Sequence, residues 1–204
     1  MDMLITGVGC IISSWNLSPA DVCMNMMPLF HIGGIVRNIL SPILSGGCVV
    51  TCNGFDPLLF WDVLFEESIE PRTAALVKPP KVTWYYASPT MHHAILMEAD
   101  KRPKPLPTQS IRYIANAAGG LLPALATALN NVFTNATILT SYGMTECMPI
   151  SSPPQSYKLN PPGTSGTIVG PDVLVVSEEG QALPTGQAGN ICLRGPPCFS
   201  KKLS

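Results

Sequence analysis

Apolar positions along the first two-thirds of the chain fall into runs of two kinds. Longer runs carry helix signals: Met3 to Trp15, Gly33 to Leu44, Pro57 to about Ser68, Pro89 to Glu98 and Pro123 to Phe133. Shorter runs read as strands: Val22 to Met27, Cys48 to Cys52, Val82 to Ala87, Ile111 to Ala115 and Thr137 to Ser141, the last ending at Tyr142-Gly143. The punctuation supports this division. Ser18-Pro19-Ala20-Asp21 reads as a turn, Ser45-Gly46-Gly47 closes the second helix, and Asp56 can N-cap the third with Pro57 in its first position. Gly7 and Gly9 weaken the first helix, and Pro42 interrupts the second. On the third, Leu58, Leu59, Trp61, Val63, Leu64 and Phe65 are expected to face inward. The CVVTC run is expected to be a buried strand, Trp84-Tyr85-Tyr86 a core strand, and Met24, Met26 and Met27 core filling.

Strand and helix thus alternate at least four times between Val22 and Ser141, the pattern of a parallel sheet with helices on its faces. After Pro149 prolines and glycines divide short alternating runs, Asp172 to Val176 and Gly189 to Arg194, and a β-rich subdomain is expected. The predicted fold class is therefore α/β: an α/β unit over residues 1–150, then the start of a β-rich subdomain over residues 151–204.

Composition narrows the partners. The 204 residues are 46% apolar and only 12% charged, against about 25% charged in ordinary soluble chains. So little charge suggests that part of the surface is meant to be covered. A net charge of −1 argues against nucleic acid, which needs a basic face. Lys101-Arg102-Pro103-Lys104 reads as a solvated loop. No run approaches the roughly 18 apolar residues of a spanning helix, and Asp2 stands where a signal peptide would be basic, so no transmembrane segment and a cytoplasmic location are expected. The seven cysteines show no disulfide or zinc spacing and read as reduced thiols.

In an open parallel sheet, ligands bind beyond the carboxyl ends of the strands. Three segments follow predicted strands there: Pro28-Leu29-Phe30-His31-Ile32-Gly33-Gly34, Asn116-Ala117-Ala118-Gly119-Gly120, and Ser141-Tyr142-Gly143-Met144-Thr145-Glu146. Tyr142 offers a flat ring for a purine, Gly143 close backbone approach, Thr145 a hydroxyl for a phosphate oxygen, and Glu146 a hard oxygen of the kind Mg²⁺ takes beside phosphates. His92 and His93, adjacent on a helix, point about 100° apart and do not form a chelating pair. Ser165 fails the G-x-S-x-G nucleophile pattern.

Tyr142-Gly143-Met144-Thr145-Glu146 resembles the YGxTE signature of the adenylate-forming (AMP-dependent synthetase/ligase) superfamily. Pro28 to Gly34 resembles that family's PLFHxxG segment, Pro162-Gly163-Thr164-Ser165-Gly166 its PGSxG turn, and Gly189 to Gly195 its GEixvRGp strand. All four occur in the family's order and cover most of the chain. The look is nearest to fatty-acyl or oxalyl-CoA-synthetase-like members and to adenylation domains of fungal peptide-synthetase-like enzymes.

The resemblance implies an enzyme that activates a carboxylic acid with ATP as an acyl-adenylate and passes it to a thiol. Coenzyme A and the pantetheine of a carrier protein both remain open as acceptor. It implies that Tyr142 stacks on adenine with Gly143 beside it, that Ala118 and Gly119 line the ring's other side, that Thr145 touches the α-phosphate, that Glu146 holds Mg²⁺, and that His31 borders the reacting carboxylate. Thr145, Glu146 and His31 are the expected catalytic group. The family's glycine-rich phosphate loop, ribose-binding aspartate and C-terminal lid lysine have no counterpart here, and Asn190 replaces the GE glutamate. The expectation is a middle piece of the large N-terminal domain, inactive by itself; the alternative is a non-catalytic adenine-nucleotide-binding module or pseudoenzyme.

Overall fold

A computed structural model describes residues 2–65 and 80–199. Five strands, β1 (Val22–Asn25), β2 (Cys48–Thr51), β3 (Trp84–Ala87), β4 (Tyr113–Asn116) and β5 (Thr137–Thr140), form one parallel sheet in the order β2-β1-β3-β4-β5. Helices cover both faces. On one lie α1 (Asp2–Trp15) and α2, whose wide π turns Gly33–Leu40 run on into the α-helical turn Ser41–Leu44. On the other lie α3 (Pro57–Phe65), α4 (Pro89–Ala99) and α5 (Pro123–Val132).

The period-2 alternation of the strands sorts two cores. Met24, Tyr85, Ile114 and Ile138 pack with Phe60, Trp61, Ile95, Leu129 and Phe133 on the α3–α5 side. Cys23, Trp84, Tyr86, Ala115 and Leu139 pack with Val8, Ile11, Trp15 and Val36 on the α1–α2 side. Trp61 stacks on Phe133 with ring centres 5.8 Å apart, and its indole N–H donates to the Ile95 carbonyl at 2.9 Å.

Local expectations meet the structure with informative differences. Asp56 caps α3 as expected, accepting from the Leu58 N–H at 2.8 Å, but Phe60 is fully buried while Leu58 is exposed; the end of the helix expected at Ser68 lies outside the described residues. CVVTC is not a buried strand: β2 is the sheet's edge, and Cys48 and Thr51 are exposed. Pro42 is accommodated because the turns before it are wide. In a regular helix its ring would meet the carbonyl four residues back. Here the Ser41 N–H and hydroxyl both turn to the Val36 carbonyl, five residues back. Gly7 has a packing reason, since a side chain there would run into the Met148 carbonyl oxygen.

The amino ends of the strands are tied together. Asp21, buried before β1, accepts from Arg112 Nε and Nη2 at 2.6 Å each and from the Ser18 N–H at 2.8 Å. The Lys-Arg-Pro-Lys stretch is also structural: Arg102 donates to Asp62 at 2.6 Å and to Glu98 at 3.2 Å, and Lys104 to the Ala99 carbonyl at 2.8 Å.

Beyond β5 the sheet gives way to antiparallel pairing. β6 (Tyr142–Met144), β7 (Cys147–Ser152) and β8 (Thr167–Ile168) form one small sheet, and β9 (Asp172–Val176) and β10 (Asn190–Arg194) another. The β-rich style therefore begins at Tyr142, ahead of Pro149. No described helix is long and apolar enough to cross a membrane.

Candidate active site

The strand order reverses between β1 and β3, and such a switch point opens a crevice at the carboxyl ends of the strands. There the structure brings the three segments together. A cleft of about 280 Å³ is lined by His31 and Ile32 from the loop after β1, by Ala117 and Ala118 after β4, and by Gly143, Met144, Thr145, Glu146 and Met148 of the β6–β7 hairpin. Tyr86 of β3 and Arg37 of α2 complete the wall. Five of the expected residues, His31, Ala118, Gly143, Thr145 and Glu146, thus surround one space. Tyr142 and Gly119 are adjacent in sequence to lining residues but do not line it themselves; Tyr142 is exposed.

Each is held for a local reason. Thr145 and Glu146 form the two-residue turn of the hairpin, between Met144 and its partner Cys147. That turn projects the hydroxyl and the carboxylate from the end of a ladder rather than from a floppy loop. The Glu146 carbonyl accepts the Phe199 N–H at 2.8 Å, so the segment that closes the described chain braces the turn from behind. Asn116, the last residue of β4, donates from Nδ2 to the Gly119 carbonyl at 3.0 Å and folds the next loop back on itself. Within that loop Ala118 has φ +59°, a left-handed conformation unusual for a residue with a Cβ.

His31 is half-buried, and its Nδ1 accepts the Gly33 N–H at 3.0 Å. In the neutral ring this places the proton on Nε2, where it can be donated. Gly33 is required at this approach: a Cβ there would lie 2.8 Å from the Tyr86 ring and 3.1 Å from His31 Nδ1.

Two lining residues were not anticipated. Tyr86 was expected only as core, and it is core, 2% exposed; its edge also reaches the cleft. Arg37 was not singled out at all. Its side chain is buried, with the guanidinium carbon 4.7 Å from the centre of the Tyr86 ring and 5.3 Å from that of Trp15. Burial pulls its pKa below the ordinary arginine value, opposed by the Tyr86 and Cys23 side chains. The signal for it was present: Arg37 is the one charged residue in the run Gly33 to Leu44.

Among the described residues no group of three His, Cys, Asp or Glu side chains could cage a metal. Glu146 supplies a single carboxylate beside a hydroxyl. That donor set suits a hard cation arriving with nucleotide phosphates, because Mg²⁺ uses one or two carboxylates and completes its shell with phosphate and water.

Known proteins resemble this chain over nearly its whole length. The oxalate–CoA ligase of Saccharomyces cerevisiae is 32% identical over 189 residues, which cover 91% of this chain and 31% of that enzyme. The mitochondrial malonate–CoA ligase of Homo sapiens is 28% identical over 180 residues, covering 87% and 30%. The solved structure of MatB from Rhodopseudomonas palustris matches with a TM-score of 0.80 at 22% identity, over 98% of this chain and 36% of that one. O-succinylbenzoate coenzyme A synthetase from Bacillus subtilis, solved in complex with ATP and magnesium ion, matches with a TM-score of 0.76 at 21% identity, over 98% and 38%. At those identities the two structures speak to the fold. The chain spans about a third of the length of the curated relatives it matches. The AMP-binding enzyme family matches residues 2–201. With that extent, and with the cleft its segments build at the strand ends, this chain belongs to the AMP-binding enzyme family.

Proposed function

We propose that this chain carries the nucleotide- and acid-binding wall of an AMP-forming acid–thiol ligase. The observation that supports it is the meeting of Thr145 and Glu146 with Ala118 and His31 around one cleft. In the reaction, a carboxylate oxygen attacks the α-phosphorus of ATP, the bond to the bridging oxygen breaks, and pyrophosphate leaves. The acyl-adenylate is a mixed anhydride. A thiolate then attacks its acyl carbon and AMP departs, leaving a thioester. The names of the relatives range over oxalate, malonate and 4-coumarate, all with coenzyme A, which favours coenzyme A over a carrier-protein pantetheine as the acceptor.

Much of the barrier to adenylation is electrostatic and positional: two anions must approach in line. The Thr145 hydroxyl donates to an α-phosphate oxygen. Glu146 is the residue that would hold Mg²⁺, which when bound neutralises phosphate charge. His31 donates from Nε2 to the incoming carboxylate and holds it in line. Tyr142 supplies a stacking face for adenine at the rim, and Ala118 and Gly119 present a side-chain-poor surface to the ring's other side.

The test is AMP binding by calorimetry to the chain and to Tyr142→Ala. Loss of one aromatic–base stack is worth roughly 1–3 kcal/mol, so affinity is expected to fall about 5- to 150-fold. Equal affinities for the two proteins would overturn the adenine assignment. ATP–pyrophosphate exchange measured alongside separates a ligase from a nucleotide-binding module: exchange dependent on an added acid is expected from the protein that includes the phosphate loop, and near-background exchange from these 204 residues.

A further inference from the structure

The cleft has a graded depth. Ala118 and Thr145 are exposed and form its rim, whereas Arg37, Tyr86 and Met148 are 1%, 2% and 4% exposed and form its bottom. A ligand reacting near Thr145 therefore extends its far end toward Arg37. That guanidinium makes no hydrogen bond or ion pair with any described residue, and its Nε and Nη1 are buried without a partner. The side chains that act on its charge are those of Tyr86 and Cys23, neither of them a carboxylate. The two flanking rings favour a cation by their faces but accept no N–H···O hydrogen bond. A buried, always-protonated guanidinium without a counter-ion is a costly arrangement, and what it lacks is a planar pair of acceptor oxygens.

Resting on the ligase reading above, we infer that Arg37 is a specificity-determining residue for an acid substrate carrying a second carboxylate. The reacting carboxylate lies at the rim beside His31 and Thr145. The distal carboxylate accepts from Arg37 at the bottom, beside the Tyr86 ring. An uncharged tail of the same length would enter the same space, yet leave the guanidinium buried and unpaired. Discrimination therefore arises as much from the penalty on the wrong acid as from the contact with the right one.

The experiment titrates the 204-residue chain with malonate, succinate, propionate and butyrate at matched ionic strength, by calorimetry, each with and without AMP. At least one dicarboxylate is expected to bind tenfold or more tighter than the monocarboxylate of comparable length, and to bind together with AMP. Arg37→Gln is expected to erase that ratio and Arg37→Lys to retain part of it. Wild-type chain that binds AMP but treats the acids alike overturns the inference and leaves the ligase reading standing. Dicarboxylate binding that competes with AMP also overturns it, because the anion then occupies the phosphate position. Dicarboxylate selectivity in a chain that binds no AMP leaves the Arg37 contact in place and defeats the nucleotide reading instead. Absence of binding by any acid overturns the inference as well. The wild-type comparison needs no variant, so the inference stays testable even if Arg37→Gln fails to fold.

Discussion

The two ends of the five-stranded sheet solve opposite problems. At the amino ends, Asp21 is buried and fully engaged: two arginine nitrogens, a backbone N–H and two hydroxyls converge on its oxygens. At the carboxyl ends, polar atoms are equally buried but left open. Among the described residues, Arg37 Nε and Nη1, Asn38 Oδ1 and Asn116 Oδ1 there make no hydrogen bond; within β3 itself, Trp84 Nε1 and the Tyr85 hydroxyl also make none. Buried polar groups are nearly always satisfied, and each exception calls for a reason. The strands are the same, so the difference lies in the segments that precede and follow them. One end holds itself together; the other surrounds the cleft, and of its unpartnered groups Arg37 is the one that lines it. Stability and recognition are thus divided along a strand of only four residues.

The sharpest way to break this comparison is to damage the closed end. Arg112→Ala leaves the Asp21 carboxylate buried without its ion-pair partner. Breaking a buried pair by removing one side costs about 3–5 kcal/mol; because Arg112 itself is partly exposed, about 3 kcal/mol is expected here. Urea denaturation measures it. AMP affinity of the folded fraction is expected to remain unchanged, since no cleft residue touches this pair. A variant that keeps its stability but loses AMP binding would show that the two ends are not independent.

A buried group on the open side sharpens the comparison by pH. His92, in the first turns of α4 just beyond β3, has its pKa pushed down to about 3 by burial. Its unfolded value is about 6.5, so below that pH the unfolded chain takes up a proton that the folded chain refuses. Stability therefore declines as pH falls through the window from 6.5 toward 3, at up to about 1.4 kcal/mol per pH unit, or about 2 kcal/mol by pH 5. His92→Phe is expected to flatten that part of the pH profile of the urea midpoint. An unchanged profile would assign the acid sensitivity to other groups and remove His92 from the account.

How much of this was legible follows the same division. The parallel sheet was readable because its strands are local: Trp84-Tyr85-Tyr86 and Tyr113-Ile114-Ala115 are short β-rich runs bounded by breakers, and periodicity needs nothing else. The segments that build the cleft were readable because ligand loops follow strand ends and because they resemble a known family. What escaped depends on neighbours distant in sequence. CVVTC has the composition of a central strand, but nothing in it says that no described strand pairs with its outer side. Leu58 and Phe60 exchange places because the direction α3 faces is set by α4 and β3, not by its own pattern. Tyr142-Gly143 looked like the end of β5; only pairing with Cys147–Ser152 turns it into a hairpin and aims Thr145 and Glu146. Arg37, a charge in an apolar run, was not singled out, and its surroundings depend on two rings from α1 and β3.

The smallest expected effect lies in the loop after β4, and it runs in the opposite direction. Ala118, at φ +59°, holds a left-handed conformation that costs an L-residue with a Cβ roughly 1–2 kcal/mol. Glycine adopts it freely but gives the unfolded chain more freedom, a loss of about 0.5–1 kcal/mol. Ala118→Gly should therefore stabilise the fold by about 0.5 kcal/mol, read from the urea midpoint. The side chain is exposed, so the change removes no core contact and the backbone term stands alone. Strain of this kind persists only where surrounding structure enforces it, and here the Asn116 side chain does so through the Gly119 carbonyl. The comparison of the two ends then makes a second demand on the same variant. If the loop is held in place as a surface for a flat ring, the methyl-free, more mobile Ala118→Gly loop should bind AMP less tightly while the fold itself becomes more stable. Stability and affinity moving together would mean that the open end is not strained for recognition at this position.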